Sequence, residues 1–417
     1  MTTILSLPQL NFTAAAQNLR EVVRKTPLIY NLNLSKKYNC NIYLKREDLQ
    51  TVRSYKIRGA FNLISNLSAE QLNKGVVCAS AGNHAQGFAY SCKLLNIKGV
   101  IFMPFITPKQ KVKQVQMFGE SNIELILVGD TFDDCLAEAL LYTEQKQMTF
   151  VPPFDAAKVI EGQGTIGLEI MDDLPLIDYV FVPVGGGGLA AGLGTCMKAT
   201  KPEVKIIGVE PLGAPSMTKA LEADTPVTLP SIEKFVDGAA VKRVGNLTFN
   251  YCKKVLDDML LVNEGKVCST ILKLYNEDAI VVEPAGALSV AALDQYVDKL
   301  QGKNVVCVIS GSNNDIDRMQ EIKERSLLYE GLKHYFIVRF AQRPGSLKEF
   351  VNNVLGPDDD ITRFEFIKKS DKEAGPALIG IELKRSEDYA QLIKNMEAHN
   401  IQYTLINGNA NLFEFLL

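Results

Sequence analysis

The chain has 417 residues, of which 47% are hydrophobic and 22% charged, with a formal net charge of −3. At roughly 100–200 residues per domain this length implies two to four domains, and the charge balance, with no long acidic or basic tract, excludes a nucleic-acid partner. The longest apolar stretches are broken by Gly, Pro or charge well short of the ~20 residues that span a bilayer, so no membrane helix is expected.

Met1 to Leu10 contains no basic residue and only a short apolar run. It reads as neither a secretory signal nor an Arg-rich transit peptide, and a cytoplasmic location is expected. The eight cysteines are scattered and never form CxxC, which predicts reduced, buried thiols rather than disulfides or a zinc site.

In chain order, the first informative segment is Ser54-Tyr55-Lys56-Ile57-Arg58-Gly59-Ala60, a lysine just ahead of an apolar helical run with small residues around it. A desolvated lysine can work as a Schiff-base nucleophile, whereas a surface lysine would simply open an amphipathic helix. The strand-like run 75–79 leads into Ser80-Ala81-Gly82-Asn83-His84-Ala85-Gln86-Gly87. Residues 100–103 and 123–128 read as further strands, and the strand-like run 179–184 leads into Gly185-Gly186-Gly187-Gly188-Leu189. Both junctions look like strand-to-helix turns that present bare backbone N–H groups to an anion, although a flexible turn would also account for a lone glycine run. Strands over 205–209 and 304–309 complete an alternation of short apolar strands and helices, the pattern of an α/β fold with buried parallel sheets. Ligands of such sheets sit at the carboxyl ends of strands, where Ser80, Gly185 and Ser310 all fall.

Residues 318–331 are charged and helix-prone, as in a connector between domains. The pattern then changes: strands are expected over 334–340, 361–367, 377–383 and 403–405, with helices opening at the Arg343-Pro344-Gly345-Ser346-Leu347 turn and over 386–399. That βαββαβ order is the ferredoxin-like unit.

Taken together, the lysine segment, the Ser80–Gly87 turn and the glycine loop resemble the fold type II enzymes that use pyridoxal phosphate, also described as tryptophan synthase β-like, and among them the threonine/serine dehydratase branch. The resemblance runs from about Arg24-Lys25-Thr26-Pro27-Leu28, through Tyr43-Leu44-Lys45-Arg46-Glu47-Asp48, to Ser310-Gly311-Ser312-Asn313. The segment after Arg325 is similar to an ACT-like regulatory module, so the whole chain resembles the biosynthetic threonine dehydratases. This implies two open, mostly parallel sheets followed by an α+β ferredoxin-like domain. The expected divisions are a large cofactor-binding domain over 1–50 and 151–318, a small catalytic domain over 51–150, a linker over 319–330 and an ACT-like domain over 331–417.

The resemblance also implies roles. Lys56 would anchor the cofactor covalently and later take the substrate's α-proton. Gly185, Gly186, Gly187, Gly188 and Leu189 would bind the cofactor phosphate, with the helix dipole assisting. Asn83 would donate its amide to the cofactor's phenolic oxygen, while the backbone of Ser80, Ala81, Gly82 and His84 would hold the substrate carboxylate. The His84 side chain reads as a capping or packing group. Ser310 would place a hydroxyl beside the pyridine nitrogen, and because a neutral serine cannot keep that nitrogen protonated, elimination of a β-hydroxyl is favoured over transamination. Gly238 and Glu283 match positions near the cofactor ring, but for Asp237 and Glu283 a capping or solvated carboxylate is the competing reading.

Two departures bear on the reaction. Serine racemases of this fold carry a second serine where this chain has Ala81, so weak racemisation is expected. They also bind a divalent cation through a Glu and an Asp; Glu210 matches the first, but Ser216 stands at the second, so no metal is expected. The implied reaction is deamination of L-threonine, with L-serine as a second substrate. Isoleucine and valine are the implied effectors and a homotetramer the implied assembly. A serine dehydratase or racemase of the same fold, and a catalytically idle amino-acid sensor, are the alternatives.

Overall fold

A computed structural model describes residues 7–366 and 373–408. These cluster into two compact units, one of Met1–Glu264 with Lys273–Asp315 and one of Gly265–Leu272 with Ile316–Leu417.

The first unit contains two sheets. The larger has six strands: β1 (Leu28–Tyr30), β2 (Asn41–Arg46), β7 (Tyr179–Pro183), β8 (Lys205–Pro211), β9 (Asp258–Val262) and β10 (Asn304–Ile309), in the order β1-β2-β10-β7-β8-β9. Only β1 runs antiparallel to its neighbour. The smaller sheet holds β3 (Val76–Ala79), β4 (Gly99–Met103), β5 (Ile123–Leu127) and β6 (Thr149–Phe150), ordered β5-β4-β3-β6 and parallel throughout.

Parallel strands must be covered on both faces, and the small sheet divides its side chains accordingly. Val76, Cys78, Ile101 and Met103 pack with Phe88 and Val159 on one side. Val77, Ala79, Val100 and Phe102 pack with Cys135 and Ala139 on the other. The core of the large sheet gathers Val180, Val182, Ile206, Val306 and Val308 beneath Leu189, Ala190 and Leu193 of the helix Gly188–Thr200. All eight cysteines are free and buried. Among the described residues no helix is long and apolar enough to cross a membrane.

The second unit contains β11 (Lys333–Ala341), β12 (Asp360–Phe366), β13 (Ala374–Glu382) and β14 (Gln402–Leu405), all antiparallel in the order β12-β13-β11-β14. This is the ferredoxin-like order expected from the βαββαβ pattern. Phe336, Val338 and Phe340 alternate along β11 and meet Phe350, Leu392 and Met396 from the helices Ser346–Asn353 and Asp388–Ala398. Strand β13 begins three residues before the predicted strand, and Ile367, the predicted end of the strand before it, lies outside the described residues. The Arg343-Pro344-Gly345 turn places Gly345 at φ +93°, a left-handed conformation that glycine adopts without penalty. Arg343 pairs with Glu349 at 2.7 Å across the turn.

Candidate active site

The site forms where three strand ends meet. Strand β3 leads into Ser80, β7 into Gly185 and β10 into Ser310. The end of β10 is joined to the approach to Lys56: Ser54 bridges Gly311, the Tyr55 N–H donates to the Ser310 carbonyl at 3.2 Å, and the Ser312 N–H donates to the Arg53 carbonyl at 2.9 Å. Lys56 is the first residue of the helix Lys56–Ile64.

That helix rests on a buried ionic network built from the other matched segments. Arg58 donates to both oxygens of Glu47 at 2.8 Å and to Glu169 at 2.6 and 3.0 Å. Lys45 reaches Glu169 at 2.5 Å and the Thr26 carbonyl at 2.7 Å. Burial pushes the Glu47 carboxyl up, but the Arg58 guanidinium outweighs it and holds the group below the usual glutamate range. Glycines set the packing: a β-carbon on Gly162 would lie 2.4 Å from the Arg58 carbonyl oxygen, so the helix Ala157–Asp173 approaches the lysine helix backbone to backbone.

Lys56 Nζ donates to the Pro153 carbonyl at 2.9 Å. Desolvation lowers its pKa to about 8, against the opposing pull of the Glu283 carboxylate. Glu283 is itself 4% exposed and pushed up to about 7, by burial first and by Asp237 second. Asn83 donates to Glu283 Oε1 at 2.6 Å. Glu283 is the N-cap residue of the helix Pro284–Ala291, yet its side chain makes no capping bond, so the competing capping reading does not describe it. Asp237 is exposed and forms an ion pair with Lys111 at 2.5 Å.

The glycine loop is shaped by what lies against it. A β-carbon on Gly186 would meet the Phe154 ring at 2.2 Å, one on Gly188 would meet Phe154 at 3.0 Å, and Gly187 has φ +93°. Among the described residues, none accepts a backbone hydrogen bond from the N–H groups of Gly185 to Leu189, which lead into the helix Gly188–Thr200. The N–H groups of Ala81, Asn83 and His84 are free in the same sense ahead of the helix Asn83–Leu95. Two anion-receptive turns therefore flank the lysine.

His84 is buried, and its Nε2–H donates to the Val151 carbonyl at 2.9 Å. Burial, reinforced by Lys56, pushes its pKa down to about 3, so the ring is neutral and serves packing. Gly238 sits beside the Glu283 carboxyl, where a β-carbon would come within 3.2 Å of Oε1. Ser310 is buried at the end of β10.

Glu210, by contrast, caps a helix. Its carboxylate accepts from the N–H groups of Met217 and Thr218 at 2.6 and 2.9 Å, while Ser216 donates to the Val241 carbonyl. Among the described residues, no cluster of three or more His, Cys, Asp or Glu side chains could hold a metal ion.

One segment that serves the site was not singled out from the sequence. Val151 receives His84, Pro153 receives Lys56, Phe154 lines the glycine loop, and Asp155 caps the helix Asn246–Val255 through the N–H groups of Leu247 and Thr248 at 2.9 and 3.0 Å. The Pro152-Pro153 pair directly after a strand was its only signal.

The donor set fits pyridoxal phosphate: a desolvated amine, a glycine turn whose free N–H groups suit a dianion, and an amide donor beside a buried carboxyl. The comparisons with known proteins agree. Residues 19–311 match the family of pyridoxal-phosphate dependent enzymes, and residues 324–416 match the C-terminal regulatory domain of threonine dehydratase. The biosynthetic L-threonine dehydratase IlvA of Halalkalibacterium halodurans is 58% identical over 97% of this chain and 97% of its own length, and that of Bacillus subtilis is 57% identical over 97% and 96%. Among solved structures, the processed form of threonine deaminase isoform 2 from Solanum lycopersicum is similar with a TM-score of 0.73 at 41% identity, covering 76% of this chain and 92% of that one. Maize serine racemase follows with a TM-score of 0.71 at 28% identity, over 76% and 97%. The chain belongs to the pyridoxal-phosphate dependent enzymes of fold type II, and within them to the biosynthetic threonine dehydratases that carry a C-terminal regulatory domain.

Proposed function

We propose that this enzyme converts L-threonine to 2-oxobutanoate and ammonium, the entry step of isoleucine biosynthesis, and that L-serine is a second substrate. The observation that carries the reading is the convergence of one desolvated amine, Lys56 Nζ, with two turns of unpaired backbone N–H groups.

In this reading Lys56 is the covalent anchor, residues Gly185 to Leu189 hold the cofactor phosphate, and Asn83, Gly238, Glu283 and Ser310 surround its ring. The free N–H groups of Ala81, Asn83 and His84 hold the substrate carboxylate, which orients Cα toward Lys56. The Ser80 N–H is instead engaged by the Phe102 carbonyl at 3.1 Å and the Gly82 N–H by Ser80 Oγ at 3.2 Å. When bound, pyridoxal phosphate supplies an electron sink conjugated with that carbon. Lys56 Nζ, with a pKa of about 8, is matched to taking the Cα proton near neutral pH. Burial keeps the His84 ring neutral, so it adds no competing positive charge beside the amine. Loss of the β-hydroxyl followed by hydrolysis gives one 2-oxobutanoate and one ammonium per threonine. Ala81 offers no second proton carrier on the far side, which supports elimination over racemisation.

The catalytic part is read as a large domain over 1–50 and 151–318 and a small one over 51–150. A linker over 319–330 leads to a regulatory domain over 331–417 that binds isoleucine, with valine as antagonist, in a cytoplasmic homotetramer. The test is direct: purified protein with pyridoxal phosphate and L-threonine should release 2-oxobutanoate and ammonium in equal amounts. Failure to do so with full cofactor occupancy refutes the reading.

A further inference from the structure

Asn313 closes the matched Ser310-Gly311-Ser312-Asn313 segment, and the reaction outlined above gives it no role. Its side-chain nitrogen donates to two acceptors at once, the Val52 carbonyl at 3.0 Å and Asn83 Oδ1 at 2.6 Å. Its own side-chain oxygen is buried without a partner. The main-chain amide of Asn313 also favours the charged form of the Glu283 carboxyl. An amide whose donor end is doubly engaged while its acceptor end is left empty is held in one orientation, and it is being used only as a donor.

The consequence falls on Asn83. With Oδ1 occupied by Asn313, the Asn83 amide has only its NH2 end to offer, and that end points to Glu283 at 2.6 Å. Reversing Asn83 would set two NH2 groups against each other on one side and place its oxygen against the Glu283 carboxyl on the other. We propose that Asn313 is a positioning residue that fixes the polarity of the Asn83 amide, so that Asn83 presents donors and never its carbonyl oxygen to the cofactor ring. This rests on the reading that Asn83 faces the cofactor.

The experiment uses the absorbance of the holoenzyme across pH, together with thermal unfolding, for wild type, Asn83→Ala, Asn313→Ala, Asn313→Asp and the Asn83→Ala/Asn313→Ala double variant. Asn313→Asp preserves shape but turns a donor into an acceptor. It should displace the absorbance maximum or its pH midpoint at least as far as Asn313→Ala does and lower kcat/KM roughly tenfold or more, the scale of one buried partner lost. In the Asn83→Ala background, replacing Asn313 should move the spectrum no further, because the two residues act as one unit. If Asn83→Ala shifts the spectrum but Asn313→Asp leaves it at wild type, Asn313 only packs and the proposal is overturned. If Asn83→Ala itself leaves the spectrum unchanged, Asn83 does not face the cofactor and both the proposal and that part of the functional reading fall. Should Asn313→Asp not fold, Asn313→Ala and the double variant decide the same question.

Discussion

Gly87 lies directly against Lys56: a β-carbon on Gly87 would sit 3.1 Å from the Lys56 carbonyl carbon and 3.0 Å from the Ile57 nitrogen. Gly87, inside the helix Asn83–Leu95, therefore sets how close that helix comes to the backbone at Lys56. Alanine favours a helix over glycine by about 1 kcal/mol, but here it would press on backbone atoms, which yield less readily than side chains. Overpacking of this kind costs ~1–3 kcal/mol, so Gly87→Ala should be a net loss. We expect a lower melting temperature and a kcat/KM reduced about tenfold, since a small displacement of a reacting group is costly. Unchanged kinetics would show that the helix spacing is not critical.

Glu283 gives a pH signature. Its pKa is raised in the fold from 4.5 to about 7, so between those values the native state holds a proton that the unfolded chain has lost. Stability from this group is full at pH 4 and declines as pH rises through 7. Glu283→Gln removes the decline. Melting curves of the cofactor-free protein from pH 5 to 8 should fall more steeply for wild type than for the variant.

Arg58→Met should be among the most damaging single changes outside the cofactor contacts. It strips Glu47 of its paired cation and leaves Glu169 with Lys45 alone, and breaking such a buried pair costs about 3–5 kcal/mol. The deficit should be smaller at pH 5 than at pH 8, because the orphaned carboxyl can take up a proton and become neutral at the lower pH. Thermal unfolding at the two pH values checks both the size and the direction.

For the regulatory domain, removal of residues 331–417 should leave an active enzyme whose threonine saturation no longer responds to isoleucine. The cut preserves the helix Met319–Tyr329, where Tyr329 packs on Gly265 and Ser326 bonds Ser269 at 2.9 Å. In the full-length protein, a coupling of ~1–3 kcal/mol would change apparent threonine affinity about 5–150-fold. A saturation curve of the intact enzyme that millimolar isoleucine and valine do not move would leave the domain a structural role only.

Much of this was legible in the sequence because strand ends carry both the fold signal and the chemistry. The apolar runs before Ser80, Gly185 and Ser310 announce parallel strands, and the small residues after them announce turns that face ligands. The Val151–Asp155 segment was not legible, since it acts through two carbonyls, an aromatic face and a cap, and its sequence is that of an ordinary loop. The environment of Glu283 was also hidden. A Glu before Pro at a helix start reads as a cap, and only the tertiary approach of Asn83, 200 residues away in sequence, draws the carboxyl away from the helix. Asn313 was visible as part of a motif, but its action on Asn83 depends on amide geometry that no spacing encodes.

The measurement that bears most directly on the central claim is turnover of L-threonine by Lys56→Ala, followed as 2-oxobutanoate formation alongside the absorbance and melting temperature of the same sample. Lys56 is both anchor and base in this account, and such paired roles fail together. The variant should keep a native-like melting profile, lose the absorbance of covalently held cofactor and show no measurable turnover. A folded Lys56→Ala enzyme that still deaminates threonine at near the wild-type rate would contradict the account.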